Sequence, residues 1–194
     1  MNRNEAWEIL CEYTKTEPLR RHALAVEAAM RAYARRYGGD EETWAAVGIL
    51  HDFDFEVHPT AEEHPAKGAE ILRGCGVPEE IVYAVLCHAD YLGLERKTPM
   101  DRAIYAVDEL TGFVTAVALV RPSKSIHEVD VAAVRKKMKD KGFARAVNRE
   151  DITKGAEQLG VELDEHIAFV IEALKPVAGE LGIAGSRGRP RGGA

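Results

Sequence analysis

A chain of 194 residues with 46% hydrophobic and 30% charged side chains has the balance of a globular protein, long enough to bury a core without disulfide staples. Its formal net charge of −6 argues against a general nucleic-acid binder, though not against a local basic pocket for a small phosphorylated ligand. No run approaches the roughly 18 apolar residues of a membrane span, and the first residues mix charges into what would be a signal peptide's apolar core. Three cysteines (Cys11, Cys75, Cys87) without a CxxC pair suit reduced thiols, so a cytoplasmic location and no membrane partner are expected.

Helical periodicity dominates and no alternating strand pattern stands out, so the expected fold class is all-α. A short helix is predicted over about 3–13. Pro18 opens a longer one with Leu19, His22, Val26, Ala29, Tyr33 and Tyr37 on one face, stopped by Gly38-Gly39. The next starts near Asp40 and carries Trp44, Val47 and His51 on one stripe. The polar segment FDFEVHPTAEEHP then reads as a loop. Pro65 and Pro78 begin helices that run to Gly74 and Gly93. Pro99 to about Leu119 reads as the longest, central helix, broken by Arg121-Pro122-Ser123-Lys124. Further helices are predicted at about 129–140, 149–159 and 163–182, before a tail at 184–194 too polar to fold.

Five histidines fall between residues 22 and 88, three of them on faces that otherwise read as apolar. Asp108 lies on the inner stripe of the long helix, where a carboxylate is costly unless paired or metal-bound. His51 and Asp52 are adjacent at a helix end, before a loop where the chain can open to substrate. Imidazole and carboxylate together suit manganese, iron, cobalt, nickel or zinc.

The order His22, His51-Asp52, Asp108 resembles the H…HD…D pattern of the HD-domain superfamily of metal-dependent phosphohydrolases. The surrounding segments RRHALAVEAAM, AVGILHDFDFE and AIYAVDELTGF resemble that family's first, second and fifth core helices, and the likeness covers about residues 18–120. It implies an HD helical bundle with added C-terminal helices, as one domain over 1–183. HPAKGAEIL, from His64, and AVLCHADYL, around His88, resemble segments that supply ligands in binuclear members. The implied metal set is then His22, His51, Asp52, His64, His88 and Asp108. With Asp52 bridging, these six would hold two divalent ions about 3.5–4 Å apart. His58, which also precedes a proline, is an alternative to His64 without the GAEIL continuation. The chain departs from the HDIGK of HD-GYP proteins, reading HDFDF, and it lacks their GYP triplet. Cleavage of a cyclic dinucleotide is therefore not expected.

The chemistry implied is hydrolysis of a small phosphorylated metabolite, a nucleotide being the leading candidate. The metal-bridging Asp52 stands at its centre. Asp54, Glu56 and Asp90 are candidate acids or bases, and Lys67, one turn past His64, is a candidate phosphate contact. Arg121 and Lys124 lie about 20–24 Å along the helix from Asp108 and reach the site only if the chain folds back. The basic stretch VRKKMKDKGFAR reads as a solvated helix face. Two other readings stand beside hydrolysis: an HD-type diiron oxygenase, and a sensing or partner-binding module with a structural metal. The sequence does not specify the oligomeric state.

Overall fold

Local capping chemistry sets most helix ends. The computed structural model describes residues 1–185, with nine α-helices and no strand among them. α1 (Arg3–Tyr13) begins in a capping box, the Asn2 side chain accepting from Glu5 N–H while the Glu5 carboxylate accepts from Asn2 N–H. α2 (Glu17–Tyr37) carries Pro18 in its first turn, where a missing N–H costs nothing, and ends at Gly38 with φ 68°. α3 (Glu41–Leu50) is capped by Asp40 and packs back on α2. The two backbones approach so closely at Gly48 that a Cβ there would lie 2.9 Å from the Glu27 backbone.

α4 (Ala66–Gly74) and α5 (Glu79–Cys87) follow the polar loop. α6 (Pro99–Leu119) starts in a capping box of Thr98 and Asp101 and runs through the centre, with α2, α5, α7, α8 and α9 packed around it. At 21 residues it is matched in length by α2, so it is not alone the longest. α7 (Val131–Met138), α8 (Arg149–Leu159) and α9 (Leu163–Leu174) complete the set.

Two predicted helices come out shorter. α5 stops at Cys87, and a short 3-10 turn (Asp90–Leu92) takes the chain to Gly93. α9 stops at Leu174 rather than near 182, because Pro176 has no N–H for the next helical bond and its ring crowds the carbonyl four residues back. Ala184 pairs antiparallel with Ser125. Most of the tail expected to be disordered, residues 186–194, lies outside the described residues. None of the described helices is long and apolar enough to cross a membrane.

Met30, Tyr33, Leu50, Phe53, Ile104, Leu110 and Phe113 are sealed in one continuous core. Each such side chain contributes about 1.5–3 kcal/mol by leaving water. One polar pair crosses this core. The Tyr33 hydroxyl donates to His166 Nδ1 at 2.6 Å, and His166 Nε2–H donates to the Ala106 carbonyl at 2.9 Å, tying α2, α6 and α9 together. Burial drives the His166 imidazole down to about 4, the charge of nearby Arg36 adding to it. The folded chain therefore holds the neutral ring, and the unfolded chain takes up the proton first as pH falls. The stability that the neutral ring contributes is full above about pH 6.5 and drains away towards about pH 4. Urea unfolding of wild type and His166→Gln at both ends of that window should show their stability difference narrowing by about 2–3 kcal/mol in acid. An unchanged difference would mean that His166 is not the neutral, buried acceptor described.

Candidate metal centre

Two histidines close two helices in the same way. His51 is the C-cap of α3 and its Nδ1–H donates to the Gly48 carbonyl at 2.8 Å. His88 is the C-cap of α5 and its Nδ1–H donates to the Val85 carbonyl at 2.5 Å. Each takes up a carbonyl of the last helical turn, and each is left with an Nε2 lone pair pointing outward. The negative ends of the two helix dipoles face the same place, which favours a cation there.

His64 reaches that place from the loop between α3 and α4. Its Nδ1–H donates to Asp54 Oδ1 at 2.8 Å, and Asp54 Oδ2 accepts from Gly68 N–H at 3.0 Å. Asp54 is completely buried. A side chain on residue 68 would collide with it, since a Cβ there would stand 2.5 Å from the Asp54 carboxyl carbon. A glycine in the first turn of α4 therefore makes room for the carboxylate that orients His64.

The donor atoms form two groups, His22 with His51, Asp52 and Asp108, and Asp52 with His64 and His88. In the first, His22 Nε2 lies 2.9 Å from Asp108 Oδ1 and 3.3 Å from His51 Nε2. In the second, His64 Nε2 lies 3.1 Å from His88 Nε2. Asp52 belongs to both: Oδ2 is 3.4 Å from His51 Nε2, while Oδ1 is 3.1 Å from His64 Nε2 and 3.4 Å from His88 Nε2. His64 and His88, whose Nδ1 protons are already committed, turn bare Nε2 lone pairs on each other at 3.1 Å and repel unless a positive charge lies between them. The donor set fits divalent metal for that reason.

The electrostatics agree. Burial alone would lower the His51 pKa, but Asp52 and Asp108 override it and hold the ring well above its ordinary value. His64, likewise opposed by burial, is lifted to about 9 by Asp52 and Asp54. Asp52 and Asp108 stay well below the usual carboxylate range despite their burial, held there by His51 and by the other histidines that contact them. A field that binds protons this strongly also attracts a metal ion, which displaces them.

The centre opens into a cavity of about 370 Å³ walled by Phe55, Tyr91, Tyr105, Glu109 and, from beyond α7, Ala146, Val147 and Asp151. A larger cavity of about 610 Å³ lies at the other ends of α3 and α5, around Tyr37, Trp44 and Tyr83, and none of the six candidate ligands lines it.

The remaining expected residues sit elsewhere. Asp54 does not face solvent as a loop acid or base; it stands behind His64. Lys67 is half exposed, 3.3 Å from Glu70, and does not line the cavity. Glu56 accepts from the N–H groups of Lys15 and Thr16 at the start of α2. Asp90 reaches the wall but is bound by Arg96 at 3.0 Å and Lys154 at 2.6 Å. Arg121 and Lys124 do not line the cavity. His58 belongs to neither group; its neighbour is Glu63, at 3.9 Å. The residue missed was Glu109, beside Asp108 on α6. Burial first, then the Asp108 charge, pushes its carboxyl up to about 7. Its place one residue past a stripe carboxylate was the available signal.

Residues 19–112 match the family model described as the HD domain. Ribonuclease Y from Desulfotalea psychrophila is 25% identical over 169 residues, a stretch covering 82% of this chain and 32% of that protein. The chain thus spans about a third of the length of this curated relative. No solved structure matches.

Asp54→Asn keeps an acceptor for one of its two N–H donors and sets an NH2 group against the other. Metal titration by calorimetry should then show one set of sites weakened about 10–100-fold and the other unaffected. Equal weakening of both, or of neither, would separate Asp54 from the His64 group.

Proposed function

We propose, from the match of residues 19–112 to the HD-domain family model, that the chain is a metal-dependent phosphohydrolase with a binuclear centre acting on a small phosphate ester. The observation that carries the reading is Asp52, whose two carboxylate oxygens turn to different histidine groups. His22, His51 and Asp108 would hold one ion, His64 and His88 the other, and Asp52 both. When bound, two divalent ions supply an activated water and a positive field on the phosphoryl oxygens.

The chain's own part is to hold that geometry. The Gly48 and Val85 carbonyls and the Asp54 carboxylate lock three imidazoles with Nε2 inward. Asp52 and Asp108 are about a fifth exposed and line the cavity, so substrate entering it can reach the carboxylates. Glu109 stands on the same wall, beside Asp108 on α6.

The relative's name, a ribonuclease, raises RNA as a substrate. A cavity of about 370 Å³ and a net charge of −6 favour a small ester instead. A second reading keeps its place on one observation: no lysine or arginine among the described residues lines the cavity. An HD-type diiron oxygenase acting on a substrate without phosphate needs none.

Elemental analysis of protein purified without added metal should find near two equivalents, falling to about one in His64→Ala and His88→Ala. One equivalent or fewer, unchanged in both variants, would remove the second group from the centre. Hydrolysis of a phosphate ester with manganese under anaerobic conditions should be lost in Asp108→Ala. Turnover that requires iron and dioxygen would select the oxygenase.

A further inference from the structure

Two aromatic rings stand in the open at the mouth of the cavity. Phe55 is 39% exposed and Tyr91 57%, whereas Phe53, Phe113 and Tyr33 are fully buried. Each follows a candidate ligand by three residues, Phe55 after Asp52 and Tyr91 after His88. Both close on His64. The Phe55 ring meets the imidazole edge-on with centroids 5.4 Å apart, and the Tyr91 hydroxyl donates to the His64 carbonyl at 2.7 Å. Their positions are therefore set before any ligand arrives, so little side-chain entropy remains to be lost on stacking. Fixed rings with free faces are a surface for another ring, and base–aromatic stacking strengthens binding by about tenfold or more.

The charges of the wall narrow the choice further. Its acids are Asp52, Asp90, Asp108, Glu109 and Asp151, with no lysine or arginine among the described lining residues. Asp90 is matched by Arg96 and Lys154, and Asp151 accepts from Tyr105 and Asn148. Among the described residues no lysine or arginine pairs with Glu109, which meets only the backbone N–H of Asn148. One phosphoryl group would have the metal ions to itself; a second or third would lie against an acidic wall that offers it no lysine or arginine.

We propose that Phe55 and Tyr91 form the ring-binding wall of this site, and that it selects monophosphate esters whose alcohol portion carries a planar ring. This rests on the phosphohydrolase reading. The test compares AMP, ribose 5-phosphate and ATP on the manganese-loaded protein. The wild type should favour AMP over ribose 5-phosphate, and over ATP, by about tenfold or more in kcat/KM. In the Phe55→Leu/Tyr91→Leu double variant the AMP to ribose 5-phosphate ratio should fall to near one. Tyr91→Phe, which keeps the ring, should retain most of it. Equal use of AMP and ribose 5-phosphate by the wild type, a ratio that survives in the double variant, or equal use of ATP would overturn the proposal. If no ester is turned over, the phosphohydrolase reading fails on its own. Calorimetric binding of AMP and ribose 5-phosphate to the same proteins then decides the question: a preference for AMP lost in the double variant supports the ring wall, and equal affinities overturn it.

Discussion

Asp52 is a carboxylate held among five other titratable side chains, and the surrounding structure is arranged so that it can stay ionised there. Its Oδ2 faces His51 and its Oδ1 faces His64 and His88. A buried carboxylate costs several kcal/mol unless each lone pair meets a positive or donating group. Two helices, α3 and α5, end at this point and turn their negative poles towards it, so the surplus of negative field is large. Only cations balance it. The supports behind the histidines, the Gly48 and Val85 carbonyls and Asp54, fix which nitrogen faces inward. The close contact of α2 and α3 at Gly48 thus serves packing and tautomer at once.

The helices were legible wherever a local device marks them: Pro18 and Gly38 around α2, Asp40 before α3, Thr98-Pro99 before α6. Pro176 was equally local, and the helix predicted over about 163–182 ran across it. His22, His51, Asp52 and Asp108 stood out because polar groups on apolar stripes demand a partner. His64 and His88 needed the family likeness, because a loop histidine before a proline describes His58 as well. What separates the two is Asp54 and Gly68, contacts that form only once the loop has folded on α4.

Asp54 also shows how polarity misleads. In FDFEVHPTAEEHP it looks like one more solvated acid, although its two partners lie ten and fourteen residues ahead and bury it fully. Where HD-GYP proteins often read HDIGK, this chain places Asp54 and Phe55 in the positions of the glycine and lysine. One orients a candidate ligand and the other walls the cavity. A lysine is thereby exchanged for a ring, and no lysine or arginine of the described residues lines the cavity. Tyr91 was out of reach for a similar reason, since which side of an element faces the cavity is decided by tertiary packing.

Arg149 gathers the loop before α8 around one guanidinium. Its NH1 donates to the carbonyls of Ala144 and Val147 at 2.6 Å each, its NH2 donates to Phe143, and the whole group lies over the Phe113 ring at 5.0 Å. That loop supplies Ala146 and Val147 to the cavity wall, and α8 supplies Asp151. The family's boundary and the working boundary of the molecule are therefore different lines. A fragment ending at residue 112 would keep every candidate ligand and still lose one side of the chamber. It would also strip the cover that α8 and α9 give α6, leaving a metal-binding half-shell open to bulk water.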